Sequence, residues 1–235
     1  MTNSARLIDF HSHILPGVDH GSSGIQETAD QMRMIQVYGV DTMVATPHFY
    51  PNEHGIESFL DRTNRAAALI KEQELPAPPC LHLGAEVLFC EGIDRMEGLE
   101  RLCIRGTDLL LLELPLDHWD YDLFETVDNL LRRHTVVLAH IDRYLFQWKN
   151  IQMLLDMGAL AQINAESLFS FGSRRKLSRF LKEDSVVALG SDLHKVDERT
   201  YQKFATAEKH LGSLYTEIME RSAYLLKNAE NFLAE

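Results

Sequence analysis

Short apolar runs, rich in β-branched residues, recur along the chain, and each ends in one or more polar side chains, most of them able to hold a metal. Leu7 to Phe10 leads into His11-Ser12-His13, and Asp41 to Ala45 leads into Thr46-Pro47-His48. Leu81 to Ala85 meets Glu86, and Leu109 to Leu112 meets Glu113. Thr135 to Ala139 meets His140, Ala159 to Ile163 meets Asn164, and Ser185 to Gly190 meets Ser191-Asp192-Leu193-His194. These runs predict seven strands. Amphipathic stretches lie between most of them. Ser23 to Tyr38, with Ile25, Met32, Ile35 and Val37, predicts a helix, as do Glu57 to Glu74, Asp122 to Arg133, Lys149 to Met157 and Arg174 to Lys182. Glu198 to Leu211 and Leu214 to Lys227 predict two closing helices.

Strands alternating with helices call for a parallel sheet. Seven βα units in 235 residues predict an α/β fold, a distorted seven-stranded (β/α)7 relative of the TIM barrel, as one domain over 1–235. There is no internal repeat or low-complexity tract, and Leu75 to Pro79 reads as a loop. In such barrels the active site lies at the C-terminal strand ends, where the histidines and carboxylates fall here.

Composition narrows the chemistry. The chain carries 23 Lys+Arg against 35 Asp+Glu, a net charge of -12, which disfavours nucleic acid and anionic membranes as bulk-charge partners. An anionic substrate then requires a local reversal of sign. Three cysteines, Cys80, Cys90 and Cys103, make no disulfide scaffold. Met1 to Phe10 has no secretory apolar core, and no apolar run is long enough to span a bilayer. The expectation is a cytoplasmic protein without direct membrane insertion.

The chain has 11 histidines. His11 and His13, two apart on a strand, face one side, and Asp192 and His194 repeat that spacing. His48, Glu86, Glu113 and His140 each close a separate run, and a buried carboxylate at a strand end is costly without a cation. His20, just before Gly21, is the preferred further ligand, with Asp19 its competitor. His11, His13, His20, His48, Glu86, Glu113, His140, Asp192 and His194 exceed what one ion takes. Two or three ions sharing a bridging carboxylate, Glu86, are expected, with Zn, Mn or Fe suiting imidazole and carboxylate. With three divalent ions and three carboxylates the site would be net positive, selecting an anion inside an acidic protein. Clustered metals suit phosphate-ester hydrolysis.

Arg143 and Arg199 are candidate phosphate clamps. Gln162 and Asn164 read as groups that support the ligands. His82, His134 and His210 read as structural, while His54 and His118 lie in loops above the proposed site and are candidates to contact substrate or assist the leaving group. Other chemistries are excluded. The positions six after each cysteine, Glu86, Met96 and Leu109, are not the arginine a cysteine phosphatase needs. No P-loop, G-x-G-x-x-G or G-x-S-x-G motif occurs.

The segments Asp9 to Asp19, Ala45-Thr46-Pro47-His48, Gly84-Ala85-Glu86, Ala139 to Tyr144 and Ser191-Asp192-Leu193-His194 resemble the polymerase-and-histidinol-phosphatase (PHP) superfamily. More narrowly, they resemble its bacterial protein-tyrosine phosphatases encoded with capsule and exopolysaccharide genes. The resemblance runs from Ile8 to about Arg199. It implies a trinuclear centre, manganese first and iron or zinc as alternatives. It implies hydrolysis of protein phosphotyrosine by a metal-bridging hydroxide, on the tail of a tyrosine autokinase that controls polysaccharide export. It assigns Arg143 and Arg199 to the phosphate, and family members can oligomerise. The family usually has Asp-Asp-Gly where this chain has Asp19-His20-Gly21, and histidinol-phosphatase-like relatives carry His there. After His48 many relatives have basic residues, whereas this chain has Phe49-Tyr50-Pro51, which implies an altered protein-substrate preference. The alternatives are a small-metabolite phosphatase of the histidinol-phosphatase type and a non-catalytic phosphotyrosine-binding regulator.

Overall fold

The computed structural model describes residues 6–76, 80–117 and 119–234. Every strand pair in it is parallel. Strands β1 (Ile8–Ser12), β2 (Thr42–Ala45) and β4 (Cys80–Leu83) form one sheet in the order β1-β2-β4. The second sheet runs β3-β5-β6-β7-β8-β9, from β3 (His48–Phe49) and β5 (Glu86–Leu88) through β6 (Leu109–Glu113), β7 (Thr135–Leu138) and β8 (Leu160–Asn164) to β9 (Val186–Gly190). Strands of a parallel sheet are buried on both faces, which is why these runs are mostly apolar. All five residues of β1 and of β9 are buried.

The seven predicted runs become nine strand segments among the described residues, because two runs are interrupted and resume. Between β2 and β3 stands Pro47, which has no N–H to give a ladder. Between β4 and β5 stand Gly84 and Ala85. Gly84 N donates to Ala45 O at 2.9 Å and Glu86 N to Pro47 O at 3.1 Å, so pairing crosses both gaps. At the far edge the chain after β9 returns to β1. Asp192 N donates to His11 O and His13 N to Leu193 O, each at 2.9 Å. The two sheets are therefore joined beside β1, and their strands end on one side.

Helices α1 (Ile25–Val37), α2 (Ile56–Glu72), α3 (Tyr121–Leu131), α4 (Trp148–Asp156), α5 (Phe171–Leu177), α6 (Glu198–Ala205), α7 (Glu208–Leu211) and α8 (Ser213–Leu225) fill the connections. Two differ from expectation. α5 starts and ends earlier than Arg174 to Lys182, because the Ser170 hydroxyl accepts from Ser173 N and caps it there. The predicted Glu198 to Leu211 helix breaks at Thr206, whose Oγ1 donates to Gln202 O at 2.7 Å and competes with the backbone ladder. α6 also buries Tyr201, whose hydroxyl donates to Asp9 Oδ2 at 3.0 Å, while Ser191 N donates to Asp9 Oδ1 at 2.8 Å. One buried carboxylate thus ties β1, the end of β9 and α6 together. The predicted loop Leu75 to Pro79 lies partly outside the described residues. Among the described residues, no helix is long and apolar enough to cross a membrane.

Candidate metal centre

Because the strands are parallel, the polar residues that end them meet on one side of the sheets. Glu86, at the start of β5 and fully buried, is at the middle. Its Oε2 lies 3.1 Å from His11 Nε2, 3.3 Å from His13 Nε2 and 2.9 Å from His48 Nδ1. Its Oε1 lies 2.7 Å from His140 Nε2. Glu113 joins from β6, 3.5 Å from His140 Nε2 and 3.9 Å from His48 Nδ1. Asp192 Oδ1 stands 3.5 Å from His13 Nε2 and 3.8 Å from His11 Nε2. His194 Nε2 faces His48 Nε2 at 3.3 Å.

Donor atoms gather within 4.8 Å of one another in four trios: His13, His48 and His194; His11, Glu86 and His140; His11, His13 and Asp192; His48, Glu86 and Glu113. Glu86 Oε2 and Asp192 Oδ1 are buried and receive no hydrogen bond. Ring nitrogens also face one another, as His11 Nε2 and His13 Nε2 do at 3.0 Å. Carboxylate oxygens without donors and opposed imidazole lone pairs in one buried volume fit divalent cations. Glu86, shared by two trios, has the position a bridging carboxylate requires.

His20 belongs to none of these trios, but its ring stacks 4.5 Å from that of His48 and 4.7 Å from that of His194. Its competitor Asp19 is turned elsewhere. Asp19 Oδ2 accepts from His13 Nδ1 at 2.8 Å and from His48 N at 2.9 Å, and Oδ1 accepts from Gly21 N at 2.9 Å. Only glycine fits after His20, since a Cβ at Gly21 would lie 2.4 Å from His13 Cβ.

Gln162 and Asn164 support the cluster from β8. Gln162 Oε1 lies 3.1 Å from His11 Nδ1 and accepts the His140 N–H at 2.7 Å. Gln162 Nε2 donates to Asn164 Oδ1, and Asn164 Nδ2 donates to Asp192 Oδ2 at 2.9 Å. His140 and Asp192 both hold left-handed backbone, with φ of 32° and 54°, which costs free energy in non-glycine residues.

The ionisation of the cluster follows its geometry. Burial opposes charge on Glu86, but the attractions of His11, His13 and His140 outweigh it and hold the carboxyl well below its usual range. Burial and the neighbouring Glu86 charge push Glu113 up. Burial, with His13 nearby, lowers His194 to about 4.

Arg143 is at the rim, its guanidinium donating to Asp192 Oδ2 at 2.5 Å and Glu113 Oε1 at 3.3 Å. Arg199 is exposed in the first turn of α6, and among the described residues its side chain makes no bond to the cluster. His54 is further out, 6.2 Å from the Tyr50 ring that stacks on His48. His118 lies outside the described residues. His82, expected to be structural, is buried and bonds Glu230 O at 2.7 Å through Nδ1. Asp9 also belongs to this end of the fold, and its only signal in the sequence is that it continues the two-residue period of His11 and His13 along β1.

Parallel strands whose C-terminal ends present imidazoles and carboxylates around a shared Glu define a class, metal-dependent hydrolases built on a parallel α/β fold. Within it, residues 7–234 match the family described as "Capsular polysaccharide synthesis, CpsB/CapC", and the chain belongs to that family. It is 30% identical to the tyrosine-protein phosphatase YwqE of Bacillus subtilis, over 96% of this chain and 94% of that protein. It is 29% identical to the tyrosine-protein phosphatase CpsB of Streptococcus pneumoniae, over 82% of this chain and 85% of that one. In fold it superposes on a crystal structure from a study of YwqE and CpsB, described there as unique metal-dependent tyrosine phosphatases, with a TM-score of 0.77 at 21% identity, covering 95% and 96% of the two chains. An amidohydrolase from Mycoplasma synoviae shares the fold more loosely, with a TM-score of 0.57 at 10% identity, over 97% and 90%.

Proposed function

We propose that this chain is a metal-dependent protein-tyrosine phosphatase acting in capsular and exopolysaccharide synthesis. The observation that carries this reading is the buried Glu86 carboxylate, faced by His11, His13, His48 and His140, with Oε2 lacking any hydrogen-bond donor. The relatives' phosphatase activity supports the substrate class. As architecture we propose a distorted seven-stranded barrel in one domain over 1–235, with β2 and β3 counted as one strand and β4 and β5 as another.

His11, His13, His20, His48, Glu86, Glu113, His140, Asp192 and His194 would hold the ions, three in number, manganese first and iron or zinc next. Bound divalent ions acidify water and neutralise phosphoryl oxygens. The chain's own residues set the frame. Asp19 orients His13, and Gln162 orients His11 and fixes the His140 backbone. Arg143, and Arg199 from α6, bind the phosphoryl oxygens and stabilise the charge that develops on them. Phenolate is a fair leaving group, so no strong general acid is required. The proposed partner is a phosphotyrosine-bearing protein, the tail of a tyrosine autokinase, met in the cytoplasm.

The test is turnover of an aryl phosphate, phosphotyrosine peptides and histidinol phosphate before and after chelation and restoration with manganese, iron or zinc. Metal-dependent turnover of phosphotyrosine above histidinol phosphate is expected. Activity that survives complete metal removal overturns the mechanism, and a preference for histidinol phosphate overturns the substrate. Arg199→Ala should retain metal while raising KM or lowering kcat, so metal loss in that variant would refute the role given to Arg199.

A further inference from the structure

The whole chain is acidic at -12, yet the stretch Phe171-Gly172-Ser173-Arg174-Arg175-Lys176-Leu177-Ser178-Arg179 carries four cations and no carboxylate. α5, which opens this stretch, packs against the turn over Ile141–Gln147 that follows His140. Between them is an open groove of about 350 Å³, lined by Arg143, Phe146, Ser170, Ser173 and Lys176 among others. Arg143 belongs to both places: it lines the groove, and its guanidinium reaches Glu113 and Asp192 of the centre. A chain held at the centre by its phosphate therefore has a channel to lie in.

Of the four cations in this stretch Lys176 lines the groove, and the four differ in what occupies them. Arg174 donates to Leu168 O and contacts His210, and Arg179 lies 4.0 Å over the Trp148 ring. Arg175 and Lys176 are exposed and make no ion pair among the described residues. The one carboxylate lining the groove, Asp142, is turned inward and accepts from Asn164 N at 2.7 Å. Two phenyl rings stand out beside these cations, Phe146 at 64% exposure and Phe171 at 73%. Exposed aromatic rings next to unpaired cations form a surface that gains from being covered by an acidic, partly apolar chain.

We propose that this groove docks the peptide segment flanking the phosphotyrosine and selects substrates that carry carboxylates there. The inference rests on the phosphatase reading above and adds a sequence preference to it. An anionic membrane would meet the same cations and rings. The groove's continuity with Arg143, at the rim of the reacting centre, favours the peptide.

The test compares two phosphotyrosine peptides of equal length, one with Asp and Glu flanking the tyrosine and one with Ser and Gln. p-Nitrophenyl phosphate serves as a substrate that cannot reach the groove. The metal-loaded wild type should favour the acidic peptide by roughly tenfold in kcat/KM, mostly through KM, and added salt should erode the preference. Arg175→Glu with Lys176→Glu should reduce it below about twofold while leaving p-nitrophenyl phosphate turnover and the Tm unchanged. Phe146→Ala should weaken both peptides and spare the small substrate. Equal turnover of the two peptides by the wild type overturns the proposal. So does an equal loss on all three substrates in the charge-reversed variant. Vesicles of anionic lipid, bound by the wild type and not by that variant in the absence of any peptide preference, would assign the surface to membrane instead. If the wild type hydrolyses no phosphate ester, the phosphatase reading is what fails. Fluorescence anisotropy of the labelled peptides then still decides the groove, which must bind the acidic peptide more tightly than the neutral one.

Discussion

Asp19 Oδ2 stands 2.8 Å from His13 Nδ1, so the ring presents Nε2 to the centre and Asp19 serves as its support. With Asp19 Oδ1 engaged by Gly21 N and Oδ2 by His13 Nδ1 and His48 N, His20 is the loop residue left to reach an ion. The two residues therefore fail differently when replaced. Asp19→Asn should keep the full number of ions at saturating metal but weaken affinity by roughly 10- to 100-fold, as outer partners of ligating histidines do. His20→Ala should lose about one equivalent of metal and lower kcat. Metal content by mass spectrometry, measured across a metal titration, separates the two. Loss of an equivalent in the Asp19 variant alone would reverse the assignment.

Gln162 joins two parts of the centre through one oxygen, and Gly190 makes room for it. A Cβ at Gly190 would lie 2.5 Å from Gln162 Nε2 and 2.7 Å from His11 Cβ. Gln162→Leu leaves the buried His140 N–H without an acceptor and should cost about 1–3 kcal/mol in urea unfolding. Gly190→Ala should displace Gln162 and His11 together and lower kcat. If Gly190→Ala is fully active with normal metal content, Gln162 does not position the ligands.

Much of this cluster is legible in residue identity alone. Each predicted strand reappears within a few residues, and eight of the nine candidate ligands fall into the four trios, because apolar runs and ligand types are both written in residue identity. What was hidden depends on backbone shape and on long-range partners. Nothing in Ala139-His140-Ile141 announces a left-handed turn, since no glycine or asparagine marks it. The hydrogen bond from His140 N to Gln162 Oε1 needs the register of β7 against β8, and the contact of the same oxygen with His11 needs the closure of β9 onto β1, which no local pattern supplies. The gaps at Pro47 and Gly84-Ala85 were visible as residues, but their effect on strand count required knowing the neighbour.

His140 is held at φ 32° against its own preference, which separates stability from function at one position. His140→Ala and His140→Gly remove the same imidazole and should both abolish turnover. Glycine adopts positive φ without steric cost, so His140→Gly should be the more stable of the two by about 1 kcal/mol despite its greater unfolded-state entropy. Chemical denaturation of both metal-free variants measures the difference. A His140→Ala variant at least as stable as His140→Gly would show that the backbone there is not strained.

Asp9 offers a pH signature that runs opposite to that of most carboxylates. Burial, partly offset by hydrogen bonds from Ser191 and Tyr201, pushes its pKa up to about 6 from an ordinary 3.8. The folded protein thus binds a proton at Asp9 between pH 4 and 6 that the unfolded chain releases. By linkage, the stability contributed by that proton is full below about pH 4 and is lost as pH rises through 6, on the order of 3 kcal/mol in all. Asp9→Asn is isosteric and cannot titrate. The unfolding free energy of the metal-free wild type minus that of the variant should therefore fall between pH 4.5 and 7. Native-state urea titrations across that interval measure it. A difference that stays flat or rises would mean that Asp9 is already ionised in the fold, and that the Tyr201 and Ser191 bonds outweigh its burial.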